Sequence, residues 1–353
     1  MFTIPPGFEW PAQFCVFMSV ATWIASIITS NVSQVDRLWT FLPTIYTAYF
    51  ALLPLWPSEQ AYLLAPFTPP ELGIAKGVYN ERALMMLALV VLWMFRLSYN
   101  TYRRGLFSLK DEDYRWAVLR GQLSPFLFQV TNLTFISFIQ NVLLLGLGVP
   151  AYIAATQPPQ ALQLRDYLVI PLTLTVLALE FTADNQQYSY QTFKHTPHRY
   201  HEHFQWKGAR LNWSSADVKR GFLTRGLWAF SRHPNFACEQ SFWWIMNFTA
   251  IPSYPYPSEL LSTLRTFDPN TIAPLVLPFL PSIALSALFF SSTLYTEAIT
   301  ASKYPAYKEY RTRVGMFSPI DTVLKGLLLT VLGKKAAVES VVWGQDESRP
   351  KVE

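Results

Sequence analysis

The fold this sequence predicts is all-α: a polytopic integral membrane helix bundle of about seven transmembrane helices. Three observations carry that expectation. Half of the 353 residues are hydrophobic (51%) and only 14% are charged, too few charges to coat a soluble surface of this size. The apolar residues fall in runs near the roughly 20 needed to cross a bilayer. Twelve Trp, eighteen Tyr and twenty-six Phe supply the aromatic belts of the two membrane interfaces.

In chain order the apolar runs place spans at 11–29, 38–55, 83–97, 126–149, 167–181, 236–251 and 272–294. The third and fifth are short between charges, so their flanking Arg and Glu must snorkel or face a wet cavity. Pro278 and Pro281 are expected to kink the last span. Residues 1–345 read as a single membrane domain and 346–353 as a polar tail.

The basic residues test this layout. Alternate loops are heavy and light in Lys and Arg, and 24 of the 28 fall on one side. The positive-inside rule makes that side cytosolic, with the N-terminus lumenal and the C-terminus cytosolic. Arg349 and Lys351 near the end resemble a dilysine retrieval signal, which predicts residence in the endoplasmic reticulum. No basic region opens the chain, so a cleaved signal peptide is not expected.

Composition also narrows the chemistry. Cys15 and Cys238 give neither a disulfide framework nor a metal spacing. A net charge of +5 is modest, and nucleic-acid binding is not expected. His195, His198, His201 and His203 cluster, but Pro197 interrupts the helix that would align them. They read as a solvent-facing loop, and no metal site is assigned.

Two stretches carry candidate chemistry. Glu180, Asp184, Gln187, Tyr188 and Gln191 share one face of a helix at spacings of three and four. Such carboxylates and carboxamides suit ribose hydroxyls and an amide, although a solvated helix end would show the same pattern. The second stretch is 226–244, Gly-Leu-Trp-Ala-Phe-Ser-Arg-His-Pro-Asn-Phe-Ala-Cys-Glu-Gln-Ser-Phe-Trp-Trp. A helix starting at Pro234 puts Asn235 and Glu239 on one face, and a carboxylate beside the hydrocarbon is costly to keep. Arg232 offers the planar fork that suits phosphate, whereas the rest of that basic loop reads equally as a topology signal. Tyr304, Tyr307 and Tyr310 follow at helical spacing, as an interfacial aromatic stripe would.

The run Ser231-Arg232-His233-Pro234-Asn235-Phe236-Ala237-Cys238-Glu239 resembles the signature of the steroid 5α-reductase-like membrane reductases. Asp36-Arg37-Leu38-Trp39, Trp93 with Arg96-Leu97, Glu180 with Asp184, and Tyr304-Pro305-x-Tyr307-x-x-Tyr310 agree with it. The resemblance extends from about Gln34 to Pro319 and is similar to an uncharacterised fungal and bacterial branch of that superfamily. It implies that 165–320 forms a cofactor region and that NADPH is bound by Glu180, Asp184, Gln187, Arg232, His233, Asn235, Tyr304, Tyr307 and Tyr310. It implies reduction of a C=C bond in a hydrophobic sterol-like or isoprenoid lipid, with substrate entering from the bilayer. Glu239 and Tyr99 are then the catalytic candidates, because hydride delivery must be matched by an acid near the carbonyl oxygen.

Three departures bear on that implication. Phe236 stands where the family has Tyr, Cys238 where it has Gly, and Trp93 where a Tyr would polarise the substrate carbonyl. Two further readings stay open. Isoprenylcysteine carboxyl methyltransferases share an Arg-His-Pro-x-Tyr signal and a later Glu-x-Tyr-x-x-Tyr-x-Arg-type run, which would mean S-adenosylmethionine as cofactor. A non-catalytic lipid-binding descendant is the third, for which Trp93 and Cys238 speak.

Overall fold

A computed structural model describes residues 4–251 and 276–344; those residues are helical between turns and loops, with no strand among them. Among the described residues, five helical segments are long and apolar enough to cross a membrane, which makes the chain an integral membrane protein. They are α1 (Glu9–Thr29), α3 (Glu81–Arg103), α4 (Pro125–Ala155), α5 (Leu164–His195) and a last segment, Leu277–Lys303. Within the last, α7 (Leu280–Lys303) follows a 3-10 turn, Leu277–Phe279. The predicted retrieval signal, the polar tail and the start of the seventh expected span lie outside the described residues.

The second expected span takes another form. It holds a ten-residue helix, α2 (Leu42–Ala51), and a 3-10 turn, Leu53–Leu55. Pro43 starts that helix, and Pro54 lies in the turn that follows it. Its length of about 15 Å is half a hydrocarbon core. Tyr46, Tyr49 and Phe50 are instead fully buried, so the apolar run is a core helix. The sixth is α6 (Pro234–Ala250), 17 residues long. The expected kink in the last span is also relocated. Pro278 lies in the 3-10 turn and Pro281 in the first turn of α7, where a missing N–H leaves no hydrogen bond unmade.

The packing resolves into two compact units: Met1–Leu174 with Trp243–Ser286, and Thr175–Phe242 with Ala287–Glu353. In unit one, α3 starts on an Asn80 cap whose side-chain oxygen accepts from the Arg82 and Ala83 amides. Arg82 then pairs with Asp166 through two buried hydrogen bonds of 2.8 and 3.0 Å. Trp93 packs edge-on against Trp243 with ring centroids 5.0 Å apart. The residue in the place of the family Tyr is thus part of the core of unit one.

The middle of α4, Asn132–Ile139, is π-helical. Asn132 donates to Ser26 (2.8 Å) and Asn141 to Thr22 (3.4 Å), both on α1. Nine residues of ordinary α-helix would turn these two asparagines about half a revolution apart. The wider turns of the π segment return them to one face, which lets both grip α1. Buried polar grips of this kind substitute for the hydrophobic effect where helices associate within lipid.

Candidate functional site

Of the described residues of the expected cofactor region, 175–242 and 287–320 fall in unit two, and 165–174, 243–251 and 276–286 in unit one. The framework of unit two is set by backbone. The Arg232 amide donates to the Gly315 carbonyl at 2.9 Å and the His233 amide to the Met316 carbonyl at 3.1 Å. Thr322 fastens the same strip, accepting from the Gly315 amide (2.7 Å) and donating to the Phe230 carbonyl (2.6 Å). A side chain at Gly315 would meet the Ser318 carbonyl 2.6 Å away, so only glycine fits. The turn at Gly226 works similarly. Its φ is +63°, and a Cβ there would lie 2.5 Å from the Gln186 amide, which accepts from the Leu227 N–H and donates to the Gly208 carbonyl.

Glu297, on α7, is the electrostatic centre of this unit. Arg232 reaches its two oxygens at 2.7 and 3.1 Å, the His233 ring approaches to 2.9 Å, and the Tyr307 hydroxyl donates at 3.2 Å. Arg311, itself partly exposed, adds a contact of 3.3 Å. Arg232 also donates to the Arg311 and Val314 carbonyls. Its fork is therefore engaged by the protein itself, and the arrangement fits a strut better than a phosphate ligand. Burial holds the His233 imidazole below its ordinary range, with Glu297 opposing that shift. A neutral His233 with its proton on Nε2 then donates to Glu297.

The tyrosines serve the same framework. Burial pushes the Tyr307 and Tyr310 phenols well above their ordinary range, and the Glu297 charge adds to the effect at Tyr307. Both stay protonated donors. Tyr310 lies on a short helix, α8 (Tyr307–Arg313), and donates to the Trp228 carbonyl at 2.5 Å. Tyr304 accepts from Lys194 at 3.0 Å and packs over Gly221, where any Cβ would overlap its ring.

The two sequence stretches singled out for their chemistry are joined by the Leu227 amide to Gln186 and the Trp228 indole to the Ala183 carbonyl, and their candidate side chains meet at Asn235 and Asp184. Asn235, in the first turn of α6, donates its side-chain amide to Asp184 on α5 at 3.2 Å. A carboxylate only accepts, so the Asn235 NH2 must face it and the amide oxygen must face away. That oxygen is buried with no hydrogen-bond partner among the described residues, and so is the Gln187 amide oxygen. Unused buried acceptors are costly unless a donor is brought to them. Glu180 (2% exposed), Asp184 (4%) and Glu239 (7%) are buried carboxylates of the same unit.

Tyr99 lies on α3 in unit one and is half exposed. Asp36, also in unit one, accepts from the Trp116 indole at 2.9 Å, and burial pushes its carboxyl above the ordinary range. In the histidine-rich segment, His195 ends α5 and Pro197–Arg199 forms a separate 3-10 turn. Among the described residues no three His, Cys, Asp or Glu side chains are grouped to hold a metal.

The sequence reading missed Glu297. It is the one acidic residue of α7, and an isolated carboxylate in an apolar helix is itself a signal. Gly315 and Thr322 carry no such mark.

Comparison with known proteins gives one family and one distant relative. The pattern of a family described as a protein of unknown function (DUF1295) matches residues 22–314. An uncharacterized protein of Schizosaccharomyces pombe is 29% identical over 298 residues, covering 84% of this chain and 75% of the relative. No solved structure matches.

Proposed function

The chain belongs to the DUF1295 family, and on that premise we propose that it is an NADPH-dependent reductase of a C=C bond in a hydrophobic lipid, sterol-like or isoprenoid. The observation that carries this reading is the Asp184–Asn235 hydrogen bond. It joins the two segments that resemble the steroid 5α-reductase-like enzymes and leaves Asn235 with a buried, fixed, unused acceptor. Gln187 offers a second.

These acceptors fit NADPH, whose carboxamide and ribose hydroxyls are donors. Asn235 and Gln187 would take those donors, and Asp184 would hold the Asn235 amide in orientation. When bound, the cofactor supplies a hydride for one carbon of the double bond. The chain's own part is to keep water out and to hold the balancing proton, which we assign to Glu239, one turn beyond Asn235 on α6. Glu297, Arg232, His233 and Tyr307 form the frame that fixes the strip carrying Asn235. On this reading the phosphate charge is met by other basic residues of the unit, Arg232 being engaged. We further place the basic loops in the cytosol, where NADPH is available, and the protein in the endoplasmic reticulum.

Asp184→Ala and Asn235→Ala are each expected to abolish NADPH binding by the detergent-solubilised protein, with the thermal unfolding midpoint little changed. Titration with NADPH, followed by quenching of the intrinsic Trp fluorescence, measures it. Wild-type affinity in both variants would remove the pair from the site.

A further inference from the structure

Beyond the last spanning helix lies a helix that the apolar-run reading passes over, α9 (Pro319–Val331). Its two faces differ sharply. Thr322, Gly326 and Leu329 are buried against the rest of unit two. Ile320, Val323, Leu324, Leu327, Leu328 and Val331 form the outer face, and each is at least 58% exposed, Val331 85%. Their spacing of three and four makes a continuous stripe along the helix. So large an ordered apolar face is not kept against water without a partner.

Length excludes a span: thirteen residues make about 20 Å, against a hydrocarbon core of roughly 30 Å. Charge points to the occupant. Residues 303–335 hold seven basic and two acidic side chains, and Lys334 and Lys335 follow directly on the stripe. Position agrees. α7, long and apolar enough to cross a membrane, ends at Lys303, and Thr322 of α9 is tied to the Phe230 carbonyl just before α6.

We propose that α9 lies in the plane of the membrane, its stripe inserted at the boundary of headgroups and acyl chains of an anionic leaflet. The lysines at its C-terminal end meet phospholipid phosphates. The helix then anchors the Gly315–Thr322 strip that holds Arg232 and His233, and so fixes that framework to the bilayer surface.

The test uses the full chain with Cys15→Ser and Cys238→Ser, reconstituted in vesicles of phosphatidylcholine and phosphatidylserine at four to one. A fluorophore is attached to a single cysteine introduced as Leu324→Cys, Leu328→Cys or, for comparison, Ser340→Cys, at an exposed site on α10 (Lys335–Trp343). Brominated lipids should quench the first two at least about threefold more than the third, as insertion to the acyl boundary requires. Omitting phosphatidylserine, or introducing Lys334→Glu with Lys335→Glu, should shrink that contrast. Equal quenching at all three sites overturns the proposal. So does an unquenched Leu328→Cys that forms disulfides between copies, which would assign the stripe to a second copy of the chain. Quenching indifferent to phosphatidylserine overturns the anionic preference.

Discussion

Glu297→Ala is expected to unfold unit two or to lower its thermal midpoint steeply. The carboxylate is 1% exposed and faces the Arg232 guanidinium, which is 4% exposed. Removing one member of a buried pair leaves the other charged and uncompensated, at a cost of about 3–5 kcal/mol. That is a large share of the roughly 5–15 kcal/mol by which proteins are stable. His233 and Tyr307 lose an acceptor at the same time. Glu297→Gln keeps the shape and one acceptor, so its midpoint should fall between the alanine variant and the parent. Thermal unfolding in detergent reads both. An unchanged midpoint in Glu297→Ala would show that the cluster does not hold the unit together.

Glu239→Gln is expected to spare folding and lipid binding but to lower turnover at least about tenfold, a barrier increase of about 1.4 kcal/mol. The substitution keeps the size of a buried side chain and removes its ability to carry a proton. It therefore separates the protonic role proposed for Glu239 from a packing role. Full turnover on a confirmed substrate would end the assignment.

Much of the fold was legible because apolar length is a direct consequence of bilayer thickness. α1, α3, α4, α5 and α7 follow from their runs alone. The 38–55 run was misread because hydrophobicity cannot separate a membrane span from a core helix; the prolines at 43 and 54 hold the distinction. α9 escaped for the opposite reason. A window long enough to find spans averages away a thirteen-residue amphipathic stripe.

The site divides in the same way. Asp184 and Asn235 are legible as motif members, and the structure places them in contact. Arg232 and His233 are equally legible as residues but not as roles. Only three-dimensional placement shows that both turn towards Glu297, 65 and 64 positions away in the chain. Gly315 is invisible in sequence because its need comes from the Ser318 carbonyl and not from a left-handed backbone.

NADPH binding is read out by the identity of the nucleotide that co-purifies with the protein in mild detergent. Denaturing the purified protein and analysing the released small molecules by mass spectrometry gives the answer without any knowledge of the substrate. NADPH or its oxidised form, present in the parent and lost in Asn235→Ala, is the result predicted. S-adenosylmethionine or its demethylated product in its place would contradict the reductase and turn the same residues to methyl transfer.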